Sequence, residues 1–191
     1  MTKNKTLSIN EIFLLAVKKH QQNKTDVAQR LYSQVLKINQ NHVDAHNNLG
    51  VIFKNLGENE KAIDCYEKAI AINPNYVNAH NNLGLVFKNL GENEKAIDCY
   101  EKAIAINPNY VDAYNNLGII FDKLGQNQKA IDCYEKAITI NPNHPNAHNN
   151  LGVILKKIGQ NQKAIDCYEK AIAINPNYVN THNNLGIIFD E

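Results

Sequence analysis

Apolar residues recur along this chain in two alternating phrases. Within 43–56, Ala45, Leu49, Ile52, Phe53 and Leu56 fall on one side at helical spacing, which predicts an amphipathic first helix. Gly57 follows as an expected left-handed cap. The next phrase, "KAIDCYEKAI", places Ala62, Ile63, Tyr66, Ala69 and Ile70 on one side, with Asp64 and Lys68 as an i,i+4 pair outside. Pro74 cannot continue that second helix, and it biases Asn73 away from helical geometry.

The two phrases return together with a 34-residue period. Units 43–76, 77–110, 111–144 and 145–178 align without a gap, and 179–191 begins another. Residues 9–42 are a divergent copy that keeps Ala28 and Tyr32 where later units have Ala62 and Tyr66. Residues 1–8 form a polar tail, and Ser8-x-x-Glu11 reads as a capping box opening the first helix. Helices of roughly 14 residues are marginal alone in water, so each pair has to bury its apolar sides against its neighbours. The expected architecture is all-α: a solenoid of antiparallel helix pairs, with no linker inside 9–191 and hence one domain.

Leu49, Gly50, Phe53, Ala62, Tyr66, Ala69 and Pro74, at fixed offsets in this unit, resemble the tetratricopeptide repeat. The match covers 9–191, although His46 stands where the family often has another aromatic and 9–42 lacks the glycine and proline landmarks. The resemblance implies a right-handed superhelix whose first helices line a concave groove. It also implies a protein-interaction role rather than catalysis.

A step of about 100° per residue puts Asp44, Asn47, Asn48, Val51, Lys54 and Asn55 opposite the buried side of the first helix. The candidate groove therefore carries two amide columns. One is Asn47, Asn81, Asn115 and Asn149; the other is Asn48, Asn82, Asn116, Asn150 and Asn184. Beside them run the aliphatics Val51, Leu85, Ile119 and Val153 and a mixed rim that includes Lys54 and Lys88. An asparagine offers both donors and an acceptor, so a column can pair with the backbone of an extended peptide while ignoring its side chains. The second column also resembles the asparagine ladder of O-linked N-acetylglucosamine transferases, which implies a grip on substrate backbone. The alternative is that these residues are solvated helix surface. The expectation is one gripping column, the second, beside a mainly solvated first.

Net charge is +1, so no global field recruits nucleic acid or an anionic membrane, and the groove lacks a basic stripe with stacking aromatics. Cys65, Cys99, Cys133 and Cys167 repeat at one helical position about a layer apart, too far for disulfides, and no zinc spacing occurs. They read as packing residues in a reducing compartment; with a polar tail and no membrane-length apolar run, this makes a cytoplasmic location the expectation. His46, His80, His148 and His182 share a position with Tyr114, which suggests a slot for a ring. No nucleophile–base pair, phosphate-cradling loop or cofactor motif appears, so neither catalysis nor a cofactor is expected from this chain. The carboxylate clamp known in some tetratricopeptide domains is not expected, since Asn47 and Val51 occupy positions where it needs a lysine and an asparagine. Ile187, Ile188 and Phe189 belong to a first helix without its second, which points to truncation of a longer protein, such as a transferase, or to self-association at that end.

Overall fold

The computed structural model describes residues 7–189, with backbone alone for Phe189. Residues 1–6, 190 and 191 lie outside the described residues, as does most of the expected polar tail. Among the described residues the chain is all helical, with eleven helices in succession. Contacts divide it into two compact units, one running to Leu90 and the other starting at Gly91. The first unit holds α1 (Ile9–Gln21), α2 (Thr25–Ile38), α3 (Val43–Asn55), α4 (Asn59–Ile72) and α5 (Val77–Leu90). The second holds α6 (Asn93–Ile106), α7 (Val111–Lys123), α8 (Asn127–Ile140), α9 (Pro145–Lys157), α10 (Asn161–Ile174) and α11 (Val179–Phe189). None of these helices is long and apolar enough to cross a membrane.

The local signals act as expected. Ser8 and Glu11 form a reciprocal capping box at the start of α1. Gly57 and Gly125 end α3 and α7 with φ of 76° and 71°, a conformation that a Cβ disfavours. Asn73 is extended and α4 stops at Ile72, one turn residue before Pro74. Asp64 and Lys68 pair at 2.7 Å on the exposed side of α4. One expectation is corrected. Leu56, assigned from periodicity to the buried side, is 51% exposed because α3 ends at Asn55 and Leu56 sits at the cap, beyond the packed turns.

Within each unit the closest packing is between the two helices of a repeat, α1 on α2 and α3 on α4 in the first, α7 on α8 and α9 on α10 in the second. A fully buried tyrosine sits at the centre of each second helix, as Tyr32, Tyr66, Tyr134 and Tyr168 show. The glycine of the first helix lies directly under the ring. A Cβ on Gly50 would stand 2.7 Å from Tyr66 Cε1, and at Gly118 and Gly152 the distances to Tyr134 and Tyr168 are 2.6 and 2.5 Å. The rings occupy the space that any side chain would need. Neighbouring repeats then stack through α2 on α3 and α4 on α5, and through α8 on α9 and α10 on α11.

This geometry sets a graded expectation for three glycine-to-alanine changes. Gly118→Ala should destabilise the fold by about 1–3 kcal/mol through overpacking against Tyr134. Gly125→Ala should cost about 1–2 kcal/mol through its left-handed backbone. Gly186→Ala, where no atom lies within 4 Å, should be neutral or stabilising by up to about 1 kcal/mol. Urea unfolding of the three variants checks the order.

Candidate functional site

The shared ring position proves to be a loop anchor. His46, His80 and His148 are buried, and each places Nε2 2.9 Å from a backbone carbonyl six residues earlier, on Gln40, Pro74 and Pro142. His182 does the same with Pro176. A carbonyl only accepts, so Nε2 carries the proton and donates. These histidines tie the inter-repeat turn to the following first helix, and Tyr114 takes the same register, half-buried.

The asparagine pairs form a network between repeats. In the first unit Asn47 Nδ2 donates to Asn48 Oδ1 at 3.3 Å, and Asn82 Nδ2 donates to Asn47 Oδ1 at 3.0 Å. In the second unit Asn149 donates to Asn150, Asn150 to Asn115 and Asn184 to Asn149, each at 3.2 Å. The carbonyl of Asn149 also accepts from the buried Thr181 hydroxyl at 3.0 Å. The expectation of a solvated first column is therefore corrected. Asn47, Asn81, Asn115 and Asn149 are only 6 to 8% exposed; within each unit this flank of the helix meets the next first helix rather than solvent, as Asn47 meets Asn82 and Asn149 meets Asn184. Asn48, Asn82, Asn116, Asn150 and Asn184 remain half-buried.

The divergent first repeat shows what happens when this network lacks a partner. Phe13 occupies the position of Asn47 one period earlier, so Asn48 has no preceding asparagine and hydrogen-bonds the Tyr32 hydroxyl instead. Burial pushes the Tyr32 pKa up, and the Asn48 bond opposes it. In the next repeat Asn82 is engaged by Asn47, and the Tyr66 hydroxyl is buried without a partner.

Beside the second asparagines, Val51, Leu85 and Ile119 are half-buried and Val153 is 36% exposed. Sequence reading stopped this column one residue short at each end. Val17 and the 50% exposed Ile187 stand one period before Val51 and one period after Val153, a relation that the offset of 34 alone reveals. Ile188 is buried, so of the apolar end of α11 it is Ile187 that meets solvent; the Phe189 side chain lies outside the described residues. Lys54 and Lys88 flank the column, half-buried.

The acidic residues of this face are occupied within the protein. Asp44 accepts a hydrogen bond from Tyr76 Oη at 2.6 Å, and Asp122 pairs with Lys157 at 2.9 Å. Asp112 lies 3.7 Å from His144 Nε2, while His144 Nδ1 caps α9 by accepting from the Ala147 N–H. His144 is the main cause of an Asp112 pKa below the usual carboxylate value. None of the four cysteines is in a disulfide, with Cys65 and Cys99 buried and Cys133 and Cys167 half-buried. Burial raises the thiols of Cys65 and Cys133 to about 11, which leaves them as packing groups rather than nucleophiles.

Two predictions follow from these contacts. Asn149→Ala removes a buried group that serves three neighbours, and it should cost about 1–3 kcal/mol in urea unfolding. Asp112 has a depressed folded pKa, so its contribution is complete above the ordinary carboxylate value of about 3.9 and is lost as pH falls through the lower folded value. Asp112→Asn should thus lower the neutral region of a melting-temperature profile slightly and leave its acid end little changed, which flattens the acid limb.

Family profiles described as TPR repeat match 52–91 and 87–125. Profiles described as tetratricopeptide repeat match 111–144 and 145–178, and also 31–64 and 167–191. The crystal structure of MamA is 31% identical with a TM-score of 0.74, covering 86% of this chain and 96% of that one. PilF of Pseudomonas aeruginosa is 21% identical with a TM-score of 0.86, over 95% of this chain and 84% of that one. YrrB, described as a TPR protein with an unusual peptide-binding site, is 21% identical with a TM-score of 0.69, over 92% and 91%. A comparison with curated protein sequences gives no match. With its repeats recognised from residue 31 to 191 and its fold shared with these structures, the chain belongs to the tetratricopeptide repeat family.

Proposed function

We propose that this chain is an interaction scaffold that holds an extended segment of a partner protein along the faces of its first helices. The second asparagines supply amide contacts to the partner's backbone, and the aliphatic column supplies apolar contacts. One observation carries this reading. In each unit a half-buried asparagine stands one helical turn from a half-buried or exposed aliphatic, as Asn82 with Leu85 and Asn150 with Val153, and the arrangement returns at every first helix from α3 onward. The network leaves these asparagines capacity for a ligand. Asn150 spends one amide hydrogen on Asn115 and keeps another.

Each such hydrogen bond contributes about 0.5–1.5 kcal/mol net, so several together with the apolar contacts reach roughly micromolar affinity. YrrB, which shares the fold, is described as having a peptide-binding site of its own. The same amide column would serve the substrate-recognition region of a larger transferase resembling the O-linked N-acetylglucosamine enzymes. We place this activity in the cytoplasm, in keeping with cysteines that form no disulfide and whose thiols are shielded by burial.

The aliphatic column is the better target for mutation, because removing the asparagines also breaks contacts between repeats. Leu85→Glu and Val153→Glu together should abolish capture of partner proteins from a lysate of the source cell, with the far-ultraviolet circular-dichroism melt almost unmoved. Retention of the same partners by the double variant would sink the reading.

A further inference from the structure

We infer that the segment held on this face is an uncharged polyproline II stretch with an apolar side chain at every third residue. The inference rests on the peptide-binding reading above and narrows its ligand. Three observations lead to it.

The first is register. α3 packs on α5 in one unit and α7 on α9 in the other, so consecutive first helices are adjacent layers. Packed helices stand about 8–10 Å apart. Each layer offers one aliphatic at the same position: Val17, Val51 and Leu85 in the first unit, Ile119, Val153 and Ile187 in the second. A β-strand presents same-face side chains about every 6.6 Å and falls out of step by the second layer. A polyproline II helix advances about 9.3 Å per three-residue turn and stays in step.

The second is hydrogen bonding. Asn150 Oδ1 already accepts from Asn149, and one of its amide hydrogens already goes to Asn115. Its carbonyl already has one donor, whereas its second amide N–H has no acceptor, so that N–H is the group with most to gain from a ligand. Asn82 and Asn184 likewise direct one hydrogen to the preceding repeat. These remaining N–H groups call for acceptors on the ligand. An α-helical ligand has already used its carbonyls internally. A polyproline II segment makes no internal hydrogen bonds, and its prolines offer carbonyls without competing N–H donors.

The third is charge. Asp44 and Asp122 are engaged by Tyr76 and Lys157, and Asp112 lies beside His144. The acidic groups along the column thus have partners within the chain, and a basic segment would have to displace them. An uncharged one fits without doing so.

The test uses synthetic peptides and the full chain. Fluorescence anisotropy would compare a labelled peptide of about nine residues built from Leu-Pro-Pro triplets with one alternating Leu and Ser and with an amphipathic helical peptide. The triplet peptide should bind at least about tenfold tighter than either. Its affinity should fall by a similar factor in Val153→Glu and in Leu85→Glu, whose folding is checked by circular dichroism. Equal or tighter binding of the alternating or helical peptide, lost in the same variants, would overturn the polyproline II inference while leaving the peptide-binding face intact. No binding of the triplet peptide would also overturn it, and partner capture by the wild-type chain but not the double variant would then show the broader reading still standing. Triplet binding that both variants retain would overturn the inference, because the contact would lie elsewhere.

Discussion

A tyrosine ring lying on a glycine fixes the spacing inside the repeat. With Gly50 beneath Tyr66, Gly118 beneath Tyr134 and Gly152 beneath Tyr168, the two helices meet at a distance that no side chain on the glycine would allow. Neither helix is long enough to persist alone in water, so the pair exists because this contact lets both apolar sides close. The alanines around it, such as Ala45, Ala62 and Ala69, are fully buried for the same reason: small residues permit the approach that the ring then fills. What remains on the outside of each first helix follows from that orientation. Once the ring sets which side faces in, the asparagine pair and the aliphatic three residues beyond it have a fixed outward direction.

The next level of order comes from polar groups. Apolar stacking is non-directional, and two repeats could slide along each other at little cost in buried area. The asparagine network and the histidine anchors are directional. Asn82 reaches Asn47, and His80 holds the carbonyl of Pro74, so the repeat that begins with α5 meets its predecessor at two points of defined geometry. The Tyr76–Asp44 and Lys157–Asp122 contacts add a third within each unit. Apolar burial holds the repeats together, and these hydrogen bonds specify how they stack.

Much of this was legible in the sequence because repetition multiplies weak signals. A single Gly after an apolar run is a poor predictor of a cap, but Gly57, Gly91, Gly125 and Gly159 at one register are not, and all four have positive φ. The ring slot was equally readable from the exchange of His46 for Tyr114, though its partner, a carbonyl six residues back, was not. The first asparagine column was misread for a definite reason. A 100° wheel separates the side facing the second helix from the opposite side, and it has no place for the flank that meets a neighbouring first helix. Asn47 lies on that flank, and only the stacking of repeats shows it to be buried. Leu56 failed in the opposite direction: the period ran past the end of the helix that gave it meaning.

The two asparagine columns also bear on how binding and stability relate in this chain. The buried column and the half-buried one are linked, since Asn150 accepts from Asn149 and donates to Asn115. A partner that engages the outer amide therefore touches a group whose other bonds join two repeats. If the ligand uses only the unspent hydrogen, those bonds persist and the bound repeats gain a further tie along the same line. If it competes for the bonds already made, it must loosen the stacking to bind. The first course requires acceptors from the ligand and no rearrangement of the scaffold, which makes a rigid, repeated set of first helices a suitable surface for a segment of matching period.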